Sequence, residues 1–457
     1  MNLQQLKYVY FLGIGGIGMS AIARWFIANG YQLAGYDKTA TPLTQALEKE
    51  GAKVHFEDSI ELIPSEYLAD TSQTLVVYTP AIPKNHTELN YFQENGFTLM
   101  KRSQVLGLLT QNMFTIGVAG THGKTTTSSM IAHILKNANR DITAFLGGIT
   151  QNYGTNFLIS SAPNPLACVI EADEFDRSFL TLHPDVAIVT STDADHLDIY
   201  GDHNHVLDSF RMYVGQIKEG GRLFQRKGLE LENYTKTSAE FSLDGGQYHV
   251  SNLRIENAEM VFDIVYPEGE IKDCKLLTPG FHNVENALAA TAACLTVGLS
   301  ADEIRDGINT FKGVKRRFEY HVRQENVVFI DDYAHHPTEI EAFLRSVKAL
   351  YPTRKLTAVF QPHLFTRTRD FQEGFAESLS LADELLLLDI YPARELPIEG
   401  VTSQIIFDKV TIDNKQMVAK QDLLNVLKTK DLDLLVTIGA GDIDTLLAPI
   451  KEMLTAQ

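Results

Sequence analysis

Cysteine is scarce in this 457-residue chain: Cys168, Cys274 and Cys294 lie far apart, each inside an apolar segment. That excludes a disulfide-stapled fold and a cysteine framework for a metal, and the three read as reduced core thiols. Long apolar runs are also missing, so no membrane span is expected. Residues 1–5 run straight into the strand-like stretch 7–12 without the regions of a signal peptide, which points to a cytoplasmic protein. Positive charge is in deficit, with 40 basic against 58 acidic residues and a formal charge of -18, so a nucleic-acid partner is disfavoured. There is no low-complexity linker and no short-period repeat. What remains, 44% apolar and 21% charged residues, is the composition of a soluble globular protein, and the length suits about three domains.

Short β-rich runs at 8–12, 32–35 and 74–78 alternate with helix-like stretches such as 17–29, the pattern of a parallel sheet flanked by helices. In that first helix Ile17, Ala21, Trp25 and Ala28 recur at helical spacing and read as the core stripe, with Gly30 placed as a C-terminal cap. A second strand, loop and helix run from Phe114 through Lys124 to about Lys136, followed by strands at 167–171 and 186–190. Residues 220–277, with short alternating pieces and Gly pairs, read as a small antiparallel elaboration. A helix follows at 284–297, then a third alternating block with strands at 327–330, 357–360, 384–388 and 434–438. Domain boundaries fall near 105 and 318.

Two loops are built to hold phosphate. In Gly120-Thr121-His122-Gly123-Lys124-Thr125 the glycines let backbone N–H groups turn toward an anion, Lys124 adds a mobile charge, and Thr125 offers a hydroxyl to the Mg²⁺ that accompanies a nucleotide. Its place between strand and helix adds the helix dipole. The usual pattern wants glycine at Val118, and Gly117 sits one position early. Near the N-terminus, Gly13-Ile14-Gly15-Gly16-Ile17-Gly18 follows a strand and opens a helix, with Asp37 ending the next strand. This is a dinucleotide fingerprint with an acid placed for a ribose hydroxyl, but the same glycines serve any diphosphate or a tight packing turn. Gly439-Ala440-Gly441 resembles it superficially and reads as a packing turn.

Acids cluster at strand ends. Glu171, Asp173 and Glu174, and then Asp193, Asp195, His196 and Asp198, are able to hold Mg²⁺ near a phosphate, or to be solvated loops. His203 and His205 read as surface. Asp331-Asp332-Tyr333-Ala334-His335-His336 again follows a strand, and no Cys or His framework of zinc spacing accompanies the two histidines. Lys315-Arg316-Arg317 and Arg367-Thr368-Arg369 are basic clusters suited to phosphate or carboxylate, with Arg316 equally readable as a surface residue.

Taken in order, these motifs resemble the Mur ligases along nearly the whole chain: Gly13 to Ser20, Ala119 to Thr126, Glu171 to Glu174, Ala194 to His196, His282-Asn283 with Asn286, Asp331 to Glu339, and Gln361 to His363 with Thr366 to Asp370. The resemblance implies an α/β chain of three domains. These are a Rossmann-like N-terminal domain (1–105) for the UDP-sugar, a central P-loop ATPase-like domain (106–318) for ATP, and a Rossmann-like C-terminal domain (319–457) that closes over ATP and the amino acid. With His122 in the loop, it implies that ATP phosphorylates the lactyl carboxylate of UDP-N-acetylmuramate and that the amine of L-alanine attacks the acyl phosphate, a step of peptidoglycan precursor synthesis.

By position, the resemblance assigns Gly13, Gly15, Gly16, Ile17, Gly18 and Asp37 to the UDP-sugar. To ATP it assigns Gly120, Thr121, His122, Gly123, Lys124, Thr125, Thr126, Asn283, Asn286, Arg317 and Asp332. Mg²⁺ would fall to Thr125, Glu171 and His196, and catalysis to Lys124, His196, His335 and Arg367. Phe210 and Arg211 stand where relatives carry a carbamylated lysine, and Leu364 where they commonly carry arginine. A monomer or homodimer is expected. Two other readings stay open: a recycling ligase that attaches a tripeptide to the same sugar nucleotide, and a nicotinamide-dependent oxidoreductase using Gly13 to Gly18 and Asp37.

Overall fold

The computed structural model describes residues 3–162, 164–193, 200–231, 238–393 and 395–456. Contacts gather these into two compact units: Met1–His249 with Val265–Glu270 and Asn286–Gly307, and Val250–Ile264 with Ile271–Glu285 and Ile308–Gln457.

In the first unit β1 (Tyr8–Leu12), β2 (Gln32–Tyr36), β3 (Lys53–His55), β4 (Thr74–Tyr78) and β5 (Thr98–Lys101) form a parallel sheet in the order β3-β2-β1-β4-β5. Alternate residues of β1 are buried on both faces, Val9 and Phe11 in one core and Tyr10 and Leu12 in another. The strand order reverses at β1, and the crevice at such a switch point is where open α/β sheets bind ligands. Helix Ile17–Ala28 buries Met19, Ile22, Ala23 and Phe26. Of the expected stripe only Ala21 is buried, and the rest is corrected: Ile17 is 37% exposed, Ala28 is exposed and Trp25 is half-buried. The helix is apolar nearly all round, so several stripes fit its spacing, and the sheet selects the one that interdigitates with it. Gly30, at φ +84° behind Asn29, ends the helix as expected.

The same unit holds β6 (Thr115–Ala119), β7 (Ile142–Phe145), β8 (Phe157–Leu158), β9 (Ala167–Glu171), β10 (Val186–Val189), β11 (Arg222–Arg226), β12 (Ser238–Ser242) and β13 (Gly245–Gly246). They pair in the order β13-β12-β11-β10-β6-β9-β7-β8, parallel except for the outer pairs β12–β13 and β7–β8. Here the expectation for 220–277 is corrected in part, because β11 and β12 extend the parallel sheet. Lying toward its edge, they are buried less completely than β10 and so look like hairpin strands in sequence. The antiparallel elaboration is the short β12–β13 pair and the separate sheet of β14 (Tyr248–Glu256), β15 (Glu259–Tyr266) and β16 (Gly269–Leu276), the last three joined by two-residue turns. All three cysteines are buried, and none is in a disulfide.

The two sheets of the first unit share one core and polar ties. Fully buried Asn156 donates to the Ile17 carbonyl at 2.6 Å and to Ser20 Oγ at 3.0 Å, and accepts from Arg24. Thr181 Oγ1 donates to the Ser103 carbonyl at 2.8 Å. In the second unit β17 (Glu319–Arg323), β18 (Val328–Asp332), β19 (Leu356–Phe360), β20 (Glu384–Leu387), β21 (Lys415–Met417) and β22 (Leu434–Ile438) pair in the order β17-β18-β22-β19-β20-β21, with only β17 antiparallel. No helix among the described residues is long and apolar enough to cross a membrane.

Two buried groups make the packing of the first unit testable. A Cβ on Gly117 would land on the hydroxyl of buried Tyr213 and stand 3.3 Å from Pro184 Cβ, and the Tyr213 ring is stacked on Phe179. Gly117→Ala should lower stability by about 1–3 kcal/mol in denaturant titrations, the usual cost of overpacking. Tyr213→Phe, which deletes a buried hydroxyl that has no partner among the described residues, should recover part of that loss.

Glu88 is fully buried and accepts from Tyr10 Oη at 2.6 Å and from the Ser59 N–H at 3.1 Å. Burial pushes its carboxyl from 4.5 up to about 7 against those bonds. Unfolded chains lose that proton first, so this group's contribution to stability is present below 4.5 and lost as pH rises to about 7. The stability of Glu88→Gln relative to the native chain should therefore climb across that window, and a flat difference would show that Glu88 does not titrate there.

Candidate active site

The phosphate loop leaves the C-terminal end of β6, between β9 and β10. Gly120 has φ +137°, and a Cβ there would collide with Thr190 Oγ1. The loop is braced from below: Ser191 Oγ accepts from the His122 N–H at 2.8 Å, the Ser191 carbonyl accepts from the Thr121 N–H at 3.2 Å, and Thr190 Oγ1 donates to the His122 carbonyl. His122 Nε2 lies 3.1 Å from Asp193. Gly123, at φ +80°, starts helix Lys124–Asn137 without a side-chain cap. The first N–H groups of that helix are therefore not claimed by a capping side chain, as an anion site requires. Asn286 Oδ1 closes over Gly123, 2.8 Å from where a Cβ would be, and accepts from Thr127 Oγ1 at 3.0 Å. Thr125 and Thr126 are buried.

Lys124 Nζ donates to the Gly120 carbonyl at 2.7 Å and lies 2.7 Å from Glu174, whose side chain is 3% exposed. Burial alone would lower the pKa of Lys124, but Glu174, Asp173 and Glu171 outweigh it and hold the ammonium above its ordinary range. Glu171 ends β9 against Gly147, where any side chain would strike its carboxylate. Asp173 accepts from the Phe175 N–H at 3.1 Å and from Arg102 Nη2 at 2.8 Å.

At the N-terminal loop Gly13 has φ +87° and, with Ile14, donates to the Tyr36 carbonyl. Asp37, read from the sequence as a ribose partner, braces the loop itself: Oδ2 accepts from the Gly15 N–H at 2.7 Å and Oδ1 from the Thr39 N–H at 3.2 Å. Gly16 caps helix Ile17–Ala28 without a side chain, and at Gly18 a Cβ would meet the Arg102 guanidinium. Between this loop and the acids of β9 opens a cleft of about 430 Å³, including solvent at its mouth, lined by Ile17, Gly18, Arg102, Gly147, Glu171 and Asp173 among others. Its few convergent polar groups are of the kind that orient a small molecule.

In the second unit the site residues again leave strand ends. Asp332 accepts from the N–H groups of Phe318 (2.7 Å) and Ala334 (2.8 Å). Burial pushes its carboxyl up to about 7, against Arg317 and those N–H groups. Arg317 lies over the Tyr333 ring at 5.0 Å and 3.8 Å from Glu339. His335 Nδ1 lies 3.0 Å from the Tyr333 carbonyl and 3.3 Å from Glu339, while His336 caps helix Pro337–Leu350. Buried Arg367 reaches to 3.5 Å from His363 Nδ1, and the His363 ring stacks on Tyr391. Arg316 is structural, not a surface residue: Nε pairs with buried Asp331 at 3.0 Å, and Nη2 donates to the Gly439 carbonyl at 2.6 Å. That contact also gives the Gly439–Gly441 turn its packing role.

Among the sequence candidates, the structure gathers Gly120 to Thr126, Glu171 and Asn286 in the first unit, with Gly13 to Gly18 across the cleft. Asn283, counted with the second unit, donates to the Thr278 carbonyl at 3.2 Å. Asp195, His196 and Asp198 lie outside the described residues. Arg102 and the Thr190–Ser191 brace escaped the sequence reading: Arg102 pairs with Asp173 across 71 residues, and the brace residues carry no motif of their own. Among the described residues no three His, Cys, Asp or Glu side chains converge on one point. Magnesium asks for less, because it keeps waters and takes one or two carboxylates with phosphate oxygens.

Two glycine loops, each leading into a helix start without a side-chain cap, and the strand-end acids beside them mark a phosphate-binding α/β enzyme. The chain belongs to the Mur ligase family, matching the Mur ligase family, catalytic domain over residues 8–113, the Mur ligase middle domain over 118–294 and the Mur ligase, glutamate ligase domain over 316–441. It is 51% identical to the UDP-N-acetylmuramate--L-alanine ligase of Flavobacterium johnsoniae over 454 residues, 99% of each chain. It is 50% identical to the ligase of the same name from Phocaeicola vulgatus, again over 99% of each. The crystal structure of UDP-N-acetylmuramate-alanine ligase from Thermotoga maritima superposes with TM-score 0.83 at 27% identity, covering 98% of this chain and 100% of that one. A murein peptide ligase from Psychrobacter arcticus shares the fold, with TM-score 0.70 at 23% identity and 98% of both chains covered.

Because Glu174 occupies the ammonium that a phosphate would take, Glu174→Gln should bind ADP several-fold more tightly by calorimetry while melting at a lower temperature. Weaker ADP binding by that variant would show that the pair is not in competition with the nucleotide.

Proposed function

We infer that the chain joins L-alanine to the lactyl carboxylate of UDP-N-acetylmuramate at the expense of ATP, a step of peptidoglycan precursor synthesis. The observation that carries this is the cleft lined by Ile17 and Gly18 of the first loop and by Glu171 and Asp173 after β9, supported by near-complete-length identity of about half to ligases of that name. A sugar nucleotide held by its diphosphate at the first loop directs its carboxylate toward the second. Division of labour along residues 1–105, 106–318 and 319–457 goes with this reading. With soluble substrates throughout, so do a cytoplasmic location and a monomer or homodimer.

ATP supplies the phosphoryl group that turns a poor leaving oxygen into a good one. Lys124 and the backbone N–H groups of Gly120 to Thr126 neutralise the charge that develops on that group. Thr125 and Glu171 would hold Mg²⁺, which shields phosphate oxygens when bound, and His196 would help hold a second ion. Asn283 and Asn286 meet the adenine side, with Arg317 and Asp332 as further nucleotide contacts. Arg367, always charged, takes the carboxylate of the incoming amino acid, and His335 accepts the proton its amine must lose.

Phosphate release from ATP should require UDP-N-acetylmuramate and free L-alanine together. Turnover with a murein tripeptide alone would replace L-alanine as the acceptor. Lys124→Ala should cut turnover by at least about 100-fold, the scale of a lost transition-state donor, while UDP-sugar binding persists. Saturable NADH binding by fluorescence would overturn the ligase reading.

A further inference from the structure

We propose that Glu395 is a positioning residue for the acceptor amino acid: it holds the short helix Phe365–Asp370 against backbone strain at Leu364, so that Arg367 keeps one orientation. This rests on the reading that Arg367 takes the acceptor's carboxylate, and it adds a residue that none of the sequence motifs includes.

The segment that carries Arg367 leaves β19 and turns into its helix at Leu364, which has φ +70° and ψ 138°. Residues other than glycine rarely take that conformation, and it persists only where the surroundings fix it. Leucine is also a poor residue at a helix start, because it has no side-chain acceptor for the first N–H groups. The helix thus begins with a strained residue and no cap of its own.

Both deficits are met from the loop that follows β20. The Tyr391 carbonyl accepts from the Leu364 N–H at 3.0 Å, and the Tyr391 N–H donates to the Pro362 carbonyl at 2.8 Å. Glu395, 29 positions after Thr366, supplies the missing cap: one carboxylate oxygen accepts from the Thr366 N–H at 3.0 Å and the other from the Thr366 hydroxyl. Its negative charge stands at the end of the helix dipole that favours it. On the far side of Arg367, buried Thr368 donates to the Leu364 carbonyl through its N–H at 3.2 Å and its hydroxyl at 2.8 Å. Arg367 is therefore fixed through both of its chain neighbours, one held by Glu395 and the other by the strained residue. A guanidinium meets a carboxylate through a rigid fork, so a shift of about 1 Å is enough to cost on the order of 100-fold.

Steady-state kinetics with L-alanine as the varied substrate tests this. Glu395→Ala should raise the KM for L-alanine roughly 10- to 100-fold, the scale of a lost charge-assisted hydrogen bond, with a smaller rise in Glu395→Gln, which keeps one acceptor. The KM values for ATP and UDP-N-acetylmuramate and the melting temperature should change little. Leu364→Gly, which takes φ +70° without steric cost, should recover part of the loss in Glu395→Ala. Arg367→Lys should raise the same KM, and adding Glu395→Ala to it should cost little more, because both changes act through one guanidinium. Losses that multiply in the double variant would show Glu395 acting on the acceptor by itself and overturn the proposal. A parallel rise of all three KM values with a fall in melting temperature would reduce Glu395 to a tie within the fold and overturn it too. An L-alanine KM moved by Arg367→Lys but not by Glu395→Ala would remove the proposal and leave the acceptor reading intact. If the native chain turns over a murein tripeptide and not L-alanine, the L-alanine reading fails, while the same KM ratios measured with the tripeptide still decide on Glu395.

Discussion

Lys124 opens its helix behind an uncapped glycine, and its ammonium is held by Glu174 and the Gly120 carbonyl, both at 2.7 Å. Removing an ammonium from water costs several kcal/mol unless other charges and acceptors replace its hydration. Much of the central sheet's upper edge answers to that requirement. β9 ends in acids because those acids keep Lys124 charged, and Gly147 lacks a side chain because Glu171 occupies the space. Gly120 takes a conformation that other residues rarely adopt, which brings its carbonyl within reach of Nζ. The charge needed for a phosphate is thus stored in place by groups a phosphate can replace.

The two glycine loops solve one problem by different means. At Gly120 to Gly123 the turn is stiffened from outside, by Thr190 and Ser191 on the next strand and by Asn286. At Gly13 to Gly18 the stiffening comes from Asp37, which takes the Gly15 N–H, and from the Tyr36 carbonyl, which takes two more. An acid at the end of β2 therefore says less about a ribose than the fingerprint suggests. Its position is equally explained by a loop that must hold its shape when empty, which is why the motif alone left the ligand open.

Strand-loop-helix order and the places of both glycine loops were legible in the sequence, because glycine, lysine and strand-end acids carry local constraints. Facts that depend on distant partners were not. The first helix is apolar nearly all round, so only the sheet reveals that Met19, Ile22, Ala23 and Phe26 face inward. Gly117 looked like a displaced loop glycine, yet it sits within β6 and is small because Tyr213, 96 positions later in the chain, presses its hydroxyl there. Arg102 and Arg316 have the same sequence character, a basic residue beside another. One borders a cleft and the other is consumed by Asp331 and two backbone carbonyls, a difference set wholly by tertiary contacts.

Adjacent Asp331 and Asp332 illustrate how a strand sorts neighbours into different roles. Successive side chains of β18 point to opposite faces. Asp331 is turned to Arg316 and Thr437, which satisfy it completely enough to bury it inside the sheet. Asp332 faces the other way and receives only backbone N–H groups, with Arg317 nearby but not bonded to it. Burial raises both carboxyls, against a bonded guanidinium at Asp331 and against backbone N–H groups and an unbonded Arg317 at Asp332. Of the pair, Asp332 is the one with no hydrogen bond to another side chain among the described residues, so its charge depends more on whatever stands beside it.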